Sequence, residues 1–223
     1  NIVAASITGT DLTTSYPANA NGSSNITVTA NDGNGGIATE SFTITVTAVN
    51  DLPSGSVTIT GTPTQNEDLT ASHTLSDADG IDNHTIAYQW KRDTLEISGA
   101  TGETYTLVQA DVGKEMTVTV SYTDDAGNPH SVVSDPTNAV ANVNDDPTGS
   151  VTISGTPTQG QTLTAANTLA DVDGIGEISY QWSNGQLGSI ITLGQTDVGS
   201  AIKVTATYTD GQGTAESEES SAT

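Results

Sequence analysis

Residues 115–123 read EMTVTVSYT, a stretch in which apolar side chains alternate with threonine and serine. The apolar members are Met116, Val118, Val120 and Tyr122. A period of two is typical of a β-strand that buries one face and leaves the other in water. No segment has a comparable helical periodicity, and Thr, Ser, Val and Gly dominate the composition. The sequence therefore predicts an all-β fold of short strands and tight turns.

The region around this stretch repeats once along the chain. The recurring pairs are GSVTI at 55–59 and 149–153, DADGI and DVDGI at 77–81 and 171–175, YQW at 88–90 and 180–182, and YTD at 122–124 and 208–210. The first two pairs are separated by 94 residues, which is the length of a small domain rather than of a supersecondary unit. The pattern predicts tandem domains.

We predict three domains from these repeats. Residues 52–145 contain seven predicted strands separated by turn residues, the last at 131–140, which is typical of a complete immunoglobulin-like sandwich. Residues 146–223 repeat this plan, and we expect them to lack most of the last strand. Residues 1–51 predict a hairpin around the turn at 31–36, and therefore the closing half of a sandwich. The predicted architecture is a linear array of β-sandwich domains.

The charge balance excludes several classes of partner. The chain has 27 acidic and 4 basic residues, a formal net charge of −23. Such a chain is repelled by nucleic acid and by anionic membrane surfaces, so neither is an expected partner. The ranges 1–51, 52–143 and 144–223 contain 4, 13 and 10 acids, so the charge is concentrated in the repeats. Clustered carboxylates repel one another, and bound divalent cations would relieve that repulsion.

Other absences from the sequence narrow the function further. With no cysteine, the chain cannot form disulfides, cysteine-based zinc sites or thiol nucleophiles, and a secreted β-domain would then need another source of rigidity, such as calcium. No apolar run is long enough to span a membrane, so we expect no membrane insertion. The sequence begins without Met or a signal peptide, and we expect a piece of a longer chain.

Two nearly identical linkers join the predicted domains. Residues 49–53 read VNDLP and residues 143–147 read VNDDP. Proline directly after each junction prevents the strand from continuing and stiffens the connection. Sandwich topology returns the loops after the second and sixth strands to the end of the domain where the chain enters. The acidic loops should therefore face the linkers.

This arrangement predicts a calcium site at each linker. The predicted ligands are Asn50, Asp51, Asp77, Asp79 and Asp124 at the first joint, and Asn144, Asp145, Asp171, Asp173 and Asp210 at the second. Calcium takes six to eight oxygen ligands, and such a junction can assemble them. The preceding domain could add oxygens at the second joint, with Glu67 or Asp111 as candidates. A single Asp-x-Asp-Gly loop is also a good turn sequence, but the recurrence of linker and loop acids together favours metal binding.

The remaining chemically notable residues indicate structure rather than catalysis. We expect Trp90 and Trp182 in the cores, and His73, His84 and His130 on the surface. No nucleophile elbow, phosphate loop or HExxH motif is present, so the prediction is that the chain is not an enzyme and has no catalytic residue.

The motifs resemble a known family of bacterial surface proteins. Residues 27–53 look like the end of a cadherin-like repeat, and residues 155–182 with 196–213 resemble the immunoglobulin-like extender repeats of giant RTX adhesins. The resemblance implies a secreted, cell-surface stalk exported by type I secretion, whose domains stiffen on binding calcium. It also makes residues 1–51 cadherin-like. The linkers and Asp-x-Asp loops are similar to cadherin joints, in which such groups coordinate calcium.

The hypothesis from the sequence is a calcium-rigidified extender segment that mediates cell adhesion by projecting a distal binding domain. Its partners would be the neighbouring repeats of the same chain. A rival hypothesis is a self-assembling extracellular filament or surface-layer subunit, held by strand addition between copies of the chain. A third is a ligand-binding module, although no loop clusters aromatic residues.

Overall fold

The computed structural model describes residues 3–223, and its regular structure is almost entirely β. These residues contain 17 strands and three single-turn 3-10 helices, at Asn83–Thr85, Gln109–Asp111 and Gln195–Asp197. None of these helices approaches the length and apolar character that a membrane crossing requires. The prediction of an all-β fold is confirmed.

The chain divides into two compact units that do not follow the sequence repeats. Unit 1 comprises residues up to 61, 69–105 and 116–137. Unit 2 comprises 62–68, 106–115 and 138–223. Two turns of the second repeat, at 62–68 and 106–115, are thus grouped with the third repeat, so the linker at 143–147 and its surroundings lie within one unit. The boundaries of the three domains remain a prediction.

Unit 1 begins with two hairpins. They are formed by β1 (Ala4–Thr8) with β2 (Asp11–Ser15), and by β3 (Gly22–Asn31) with β4 (Ile37–Val46). The turn of the second hairpin is held by Asp32, whose Oδ1 accepts the backbone N–H groups of Asn34 (2.8 Å) and Gly36 (2.9 Å). These bonds lower the pKa of Asp32 below its ordinary value of 3.8. The predicted hairpin around 31–36 is therefore present, and β1 and β2 are additional strands.

The second repeat contains seven strands in two sheets. They are β5 (Val57–Thr60), β6 (Asp68–His73), β7 (Ala87–Arg92), β8 (Leu95–Glu96), β9 (Thr104–Thr106), β10 (Met116–Thr123) and β11 (Pro129–Val133). The sheet orders are β5-β6-β9 and β8-β7-β10-β11, the arrangement of an immunoglobulin-like sandwich. The apolar side chains that alternate along β10 are all buried, as predicted.

The strand predicted at 131–140 is wrong in its end point. The structure ends β11 at Val133. At the next residue, the Ser134 hydroxyl rather than a backbone carbonyl accepts the N–H of Val118, at 3.1 Å. Pro136 then follows, and proline has no N–H to continue a ladder.

The third repeat has six strands in two sheets. They are β12 (Val151–Gly155), β13 (Thr162–Asn167), β14 (Ser179–Trp182), β15 (Ile190–Thr192), β16 (Val204–Thr209) and β17 (Ala215–Glu219). The sheet orders are β12-β13-β15 and β14-β16-β17. β17 spans five residues, as β11 does, and a single bridge between Gln181 and Leu187 takes the place of β8.

Both tryptophans lie in the cores, as predicted. Trp90 and Trp182 are almost fully buried, and each indole N–H donates to a backbone carbonyl. Trp90 Nε1 lies 2.9 Å from Gly102 O, and Trp182 Nε1 lies 2.8 Å from Gly188 O. Because a buried N–H without an acceptor is costly, these bonds fix the loop that follows each tryptophan strand.

Candidate functional site

At the first joint, the linker is bound to the Asp-x-Asp loop of the second repeat. The backbone N–H of Asp51 donates to Asp79 Oδ2 at 2.7 Å. The backbone N–H of Asp79 donates to Asp77 Oδ1 at 3.0 Å, which folds the loop on itself. Asn50 lies exposed in the linker. The two carboxylates therefore serve both as turn formers and as the anchor of the linker.

The second joint repeats this arrangement. The backbone N–H of Asp145 donates to Asp173 Oδ2 at 2.8 Å, and the backbone N–H of Asp173 donates to Asp171 Oδ1 at 2.9 Å. Asn144 is also engaged, since its side-chain amide donates to Glu216 Oε1 at 2.9 Å. The structure thus brings the linker and loop acids together at both joints, and their role as metal ligands stays a prediction.

A buried tyrosine donates a hydrogen bond to the first aspartate of each Asp-x-Asp loop. The Tyr122 hydroxyl donates to Asp77 Oδ2 at 2.6 Å, and the Tyr208 hydroxyl donates to Asp171 Oδ2 at 2.5 Å. Burial raises the pKa of both tyrosines, and the hydrogen bond to the carboxylate raises it further. Both side chains therefore remain neutral hydrogen-bond donors well above neutral pH.

In the second repeat, the carboxylate of Asp124 has protein donors on both oxygens. Oδ1 accepts the backbone N–H of Asn128 at 2.7 Å, and Oδ2 accepts the Asn128 side-chain amide at 2.9 Å. His130 Nε2 lies 3.4 Å from Asp124 Oδ2 and 3.7 Å from Asp77 Oδ2. Burial raises the pKa of Asp124, but the bonds from Asn128 and His130 outweigh it, so the pKa falls below 3.8.

The prediction that His130 is a surface residue is wrong. Its side chain is 6% exposed. The register of β10 and β11 pairs His130 with Tyr122, and the two rings lie 5.3 Å apart between centroids. The imidazole is thereby placed between the carboxylates of Asp77 and Asp124. His84 is exposed, as predicted.

In the third repeat, the equivalent carboxylate, that of Asp210, has hydrogen-bond donors on only one of its two oxygens. Asp210 Oδ1 accepts the backbone N–H groups of Gln212 (2.8 Å) and Thr214 (2.7 Å), whereas Oδ2 is buried without a hydrogen-bond partner. Burial raises the pKa of Asp210, but these backbone bonds lower it more. The positions of Asn128 and His130 are taken here by Thr214 and Glu216. The third repeat thus has a carboxylate where the second has an N–H donor.

Two glutamines that were not among the predicted ligands bind the second linker. Gln65 is buried; its Oε1 accepts the N–H of Val143 at 3.1 Å, and its Nε2 donates to Asp145 Oδ2 at 3.0 Å. Gln109 Nε2 donates to Asp173 Oδ1 at 2.9 Å. A signal was available, because both glutamines recur in the third repeat, in TPTQ at 156–159 and in QTDVG at 195–199.

The structure places the two acids suggested as further ligands, Glu67 and Asp111, in different surroundings. Glu67 is exposed. Asp111 is fully buried, and its Oδ2 accepts the N–H of Val108 at 2.8 Å within its own turn. It therefore holds the turn that positions Gln109.

The described residues contain no group of three or more His, Cys, Asp or Glu side chains arranged to hold a metal ion. Unit 2 nevertheless has three buried side-chain oxygens without a hydrogen-bond partner, namely Gln109 Oε1, Asn142 Oδ1 and Asp210 Oδ2. Unit 1 has no such carboxylate or amide oxygen among its described residues. A buried acceptor without a donor is costly, so these three oxygens have capacity for a cation or water.

Comparison with known proteins identifies no family. No protein-family model matches the chain, and no curated protein matches it. One similar solved structure is a tetra-tandem repeat in the extending region of a large adhesion protein, at 19% identity and a TM-score of 0.34. The match covers 99% of this chain, which spans 65% of that one. Another is the tandem immunoglobulin repeats of Dlar, at 12% identity and a TM-score of 0.21, covering 76% of this chain and 96% of that one.

Proposed function

We propose that this chain is an extender segment of a secreted bacterial surface adhesin of the RTX type, exported by type I secretion. Its mechanism is mechanical, since stiff joints between sandwich domains hold a distal binding domain away from the cell. The observation that carries the proposal is the linker bond that recurs in both repeats, from Asp51 to Asp79 and from Asp145 to Asp173. A linker bonded to the domain that comes after it has lost much of its freedom to bend. The assignment to adhesins rests on the sequence resemblance.

Calcium binding is part of the proposal for the second joint. The three unpartnered oxygens of unit 2 are of the type that calcium prefers, and the Asp-x-Asp loop of the same unit carries the carboxylates of Asp171 and Asp173. Asp210, Gln109 and Asn142 would contribute oxygens, with Asp171 and Asp173 completing the acidic environment. When bound, the ion would supply positive charge beside Asp210 Oδ2, which has no donor among the described residues. Amide oxygens would have to complement the carboxylates, because the acids of the described residues alone form no ready-made cluster.

The second repeat fits calcium less well. Asn128 and His130 already donate to Asp124, so both of its oxygens have protein donors. An ion there would have to displace the imidazole of His130, which is packed against Tyr122. The calcium response is therefore expected from the third repeat.

Thermal unfolding and X-ray scattering with calcium and with chelator test this proposal. At a hundredfold excess over Kd, one site adds about 2.7 kcal/mol of stability, so calcium should raise the Tm of the whole chain by several degrees. Chelator should lower the Tm and allow the chain to bend. A scattering profile and a Tm that are identical in both conditions would falsify the calcium proposal.

Two matched variants locate the ion. Asp210→Asn keeps the Oδ1 bonds to Gln212 and Thr214 but removes the charge, so it should abolish the calcium-dependent rise in Tm. Asp124→Asn should retain that rise, although it lowers the Tm in all conditions because an amide would meet the Asn128 amide. The reverse pattern would move the site to the second repeat.

A further inference from the structure

The glutamine turns of the second repeat, residues 62–65 and 109–113, recur in the third repeat at 156–159 and 195–199. The same bonds hold both sets. In the second repeat, Asn66 N–H donates to Leu107 O (2.9 Å) and Val108 N–H donates to Asp111 Oδ2 (2.8 Å). In the third repeat, the equivalent bonds run from Gly160 N–H to Leu193 O (2.8 Å) and from Gly194 N–H to Asp197 Oδ2 (2.7 Å). The two sets of turns therefore have the same local conformation and present their glutamines on the same frame.

In the second repeat, the glutamine turns are covered by the segment 138–145. The backbone N–H of Gln65 donates to Ala141 O, and the N–H of Gly113 donates to Val140 O, both at 2.9 Å. The segment pairs in parallel with both turns, through bridges at Ala141 and at Val140. Val140 is 2% exposed and Gln65 is 4% exposed, so the covering segment is packed rather than merely adjacent.

In the third repeat, the same turns are open. Gln159 and Gln195, the counterparts of Gln65 and Gln109, are both exposed. The N–H groups of Gln159 and Gly199, the counterparts of the two donors to segment 138–145, have no hydrogen-bond partner among the described residues. A cleft of about 300 Å³ lies here, lined in part by Pro157, Gln159 and Val198.

We propose that the glutamine turns of the third repeat are a docking surface for a further repeat of the same kind. The occupant is an extended segment with the chemistry of residues 138–145, followed by a domain that presents an Asp-x-Asp loop. Gln159 would bind the linker, as Gln65 does, and Gln195 would donate to the loop carboxylate, as Gln109 does. The hydrogen bonds from the glutamines are direct, so docking requires no metal ion and is expected with or without calcium.

The test extends residues 1–223 beyond Thr223 with a copy of residues 138–147, NAVANVNDDP. This short extension suffices for Gln159, because both side-chain partners of Gln65 lie within the copied segment. Side-chain amide exchange is measured by NMR in chelator, which separates the result from any effect of calcium. We expect exchange at the Gln159 amide to slow about tenfold or more, and the Tm to rise.

Four further variants make the result decisive. Gln159→Ala should reduce the rise in Tm, whereas Gln161→Ala, at an exposed glutamine on the same turn, should leave it unchanged. An extension whose copy of Asp145 is replaced by alanine should slow exchange much less. A longer extension that copies residues 138–223 should also slow exchange at Gln195. The proposal is overturned if Gln159 exchanges at the same rate with and without the short extension, or if the two glutamine variants behave alike.

Discussion

Asp124 and Asp210 occupy equivalent positions directly after β10 and β16, but their carboxylates have different partners. The difference comes from two changes of side chain, because Asn128 and His130 in one repeat correspond to Thr214 and Glu216 in the other. A neutral imidazole can donate its N–H to the aspartate, whereas a carboxylate can only accept. Near-identical Asp-x-Asp loops can therefore lie beside carboxylates with different donors, and the Asp-x-Asp sequence alone does not reveal the difference.

The two tyrosines that donate to the Asp-x-Asp loops lead to a prediction about stability at alkaline pH. The folded-state pKa values of Tyr122 and Tyr208 lie above the ordinary value of 10.0, because burial and a carboxylate partner oppose ionisation. Their contribution to stability is fully present below pH 10 and is lost as the pH rises through the folded-state pKa values. Phenolate absorbance of the folded chain should therefore show a late-titrating group.

Matched variants assign that late titration. Tyr122→Phe and Tyr208→Phe should each reduce its amplitude, and the double variant should reduce it further. The interpretation fails if the folded chain titrates all its tyrosines in one step near pH 10.

At the scale of the strands, the sequence was informative wherever alternation continued over several residues. The apolar face of β10 was predictable residue by residue because burial follows the pleat. The inward position of His130 was not predicted, because it depends on the pairing of β11 with β10, and a five-residue strand beginning at Pro129 has a weak pattern of its own. The Gln65 contacts were equally hidden, since glutamine in a turn is ordinarily solvated.

The glycine of the repeated GSVTI motif has a positive φ and a close backbone contact, and these lead to a prediction. Gly149 has φ +95°, and a Cβ there would lie 2.3 Å from Thr168 O, a backbone atom that cannot move aside. Gly149→Ala should therefore destabilise the chain by about 1–3 kcal/mol. Gly160→Ala is the control, because Gly160 also has a positive φ (+80°) but has nothing within 4 Å of an added Cβ. Equal losses in urea unfolding would show that the close approach is unimportant.

At the scale of the whole molecule, the charge of −23 acts on stability independently of any specific site. Screening by salt weakens repulsion between carboxylates, so NaCl should raise the Tm gradually and without saturation. A bound ion behaves differently, because its effect depends on site occupancy and is specific to the cation. The two contributions can therefore be separated in one experiment.

That experiment compares CaCl2, MgCl2 and NaCl at equal ionic strength, with Tm as the readout. We expect calcium to add a saturable increment above the NaCl curve, and magnesium to add less, because it requires near-octahedral geometry and keeps much of its own water. The increment should vanish in Asp210→Asn while the NaCl curve keeps its slope, since one charge among 27 acids changes the overall repulsion little. Three superimposable curves would mean that screening alone stabilises the chain.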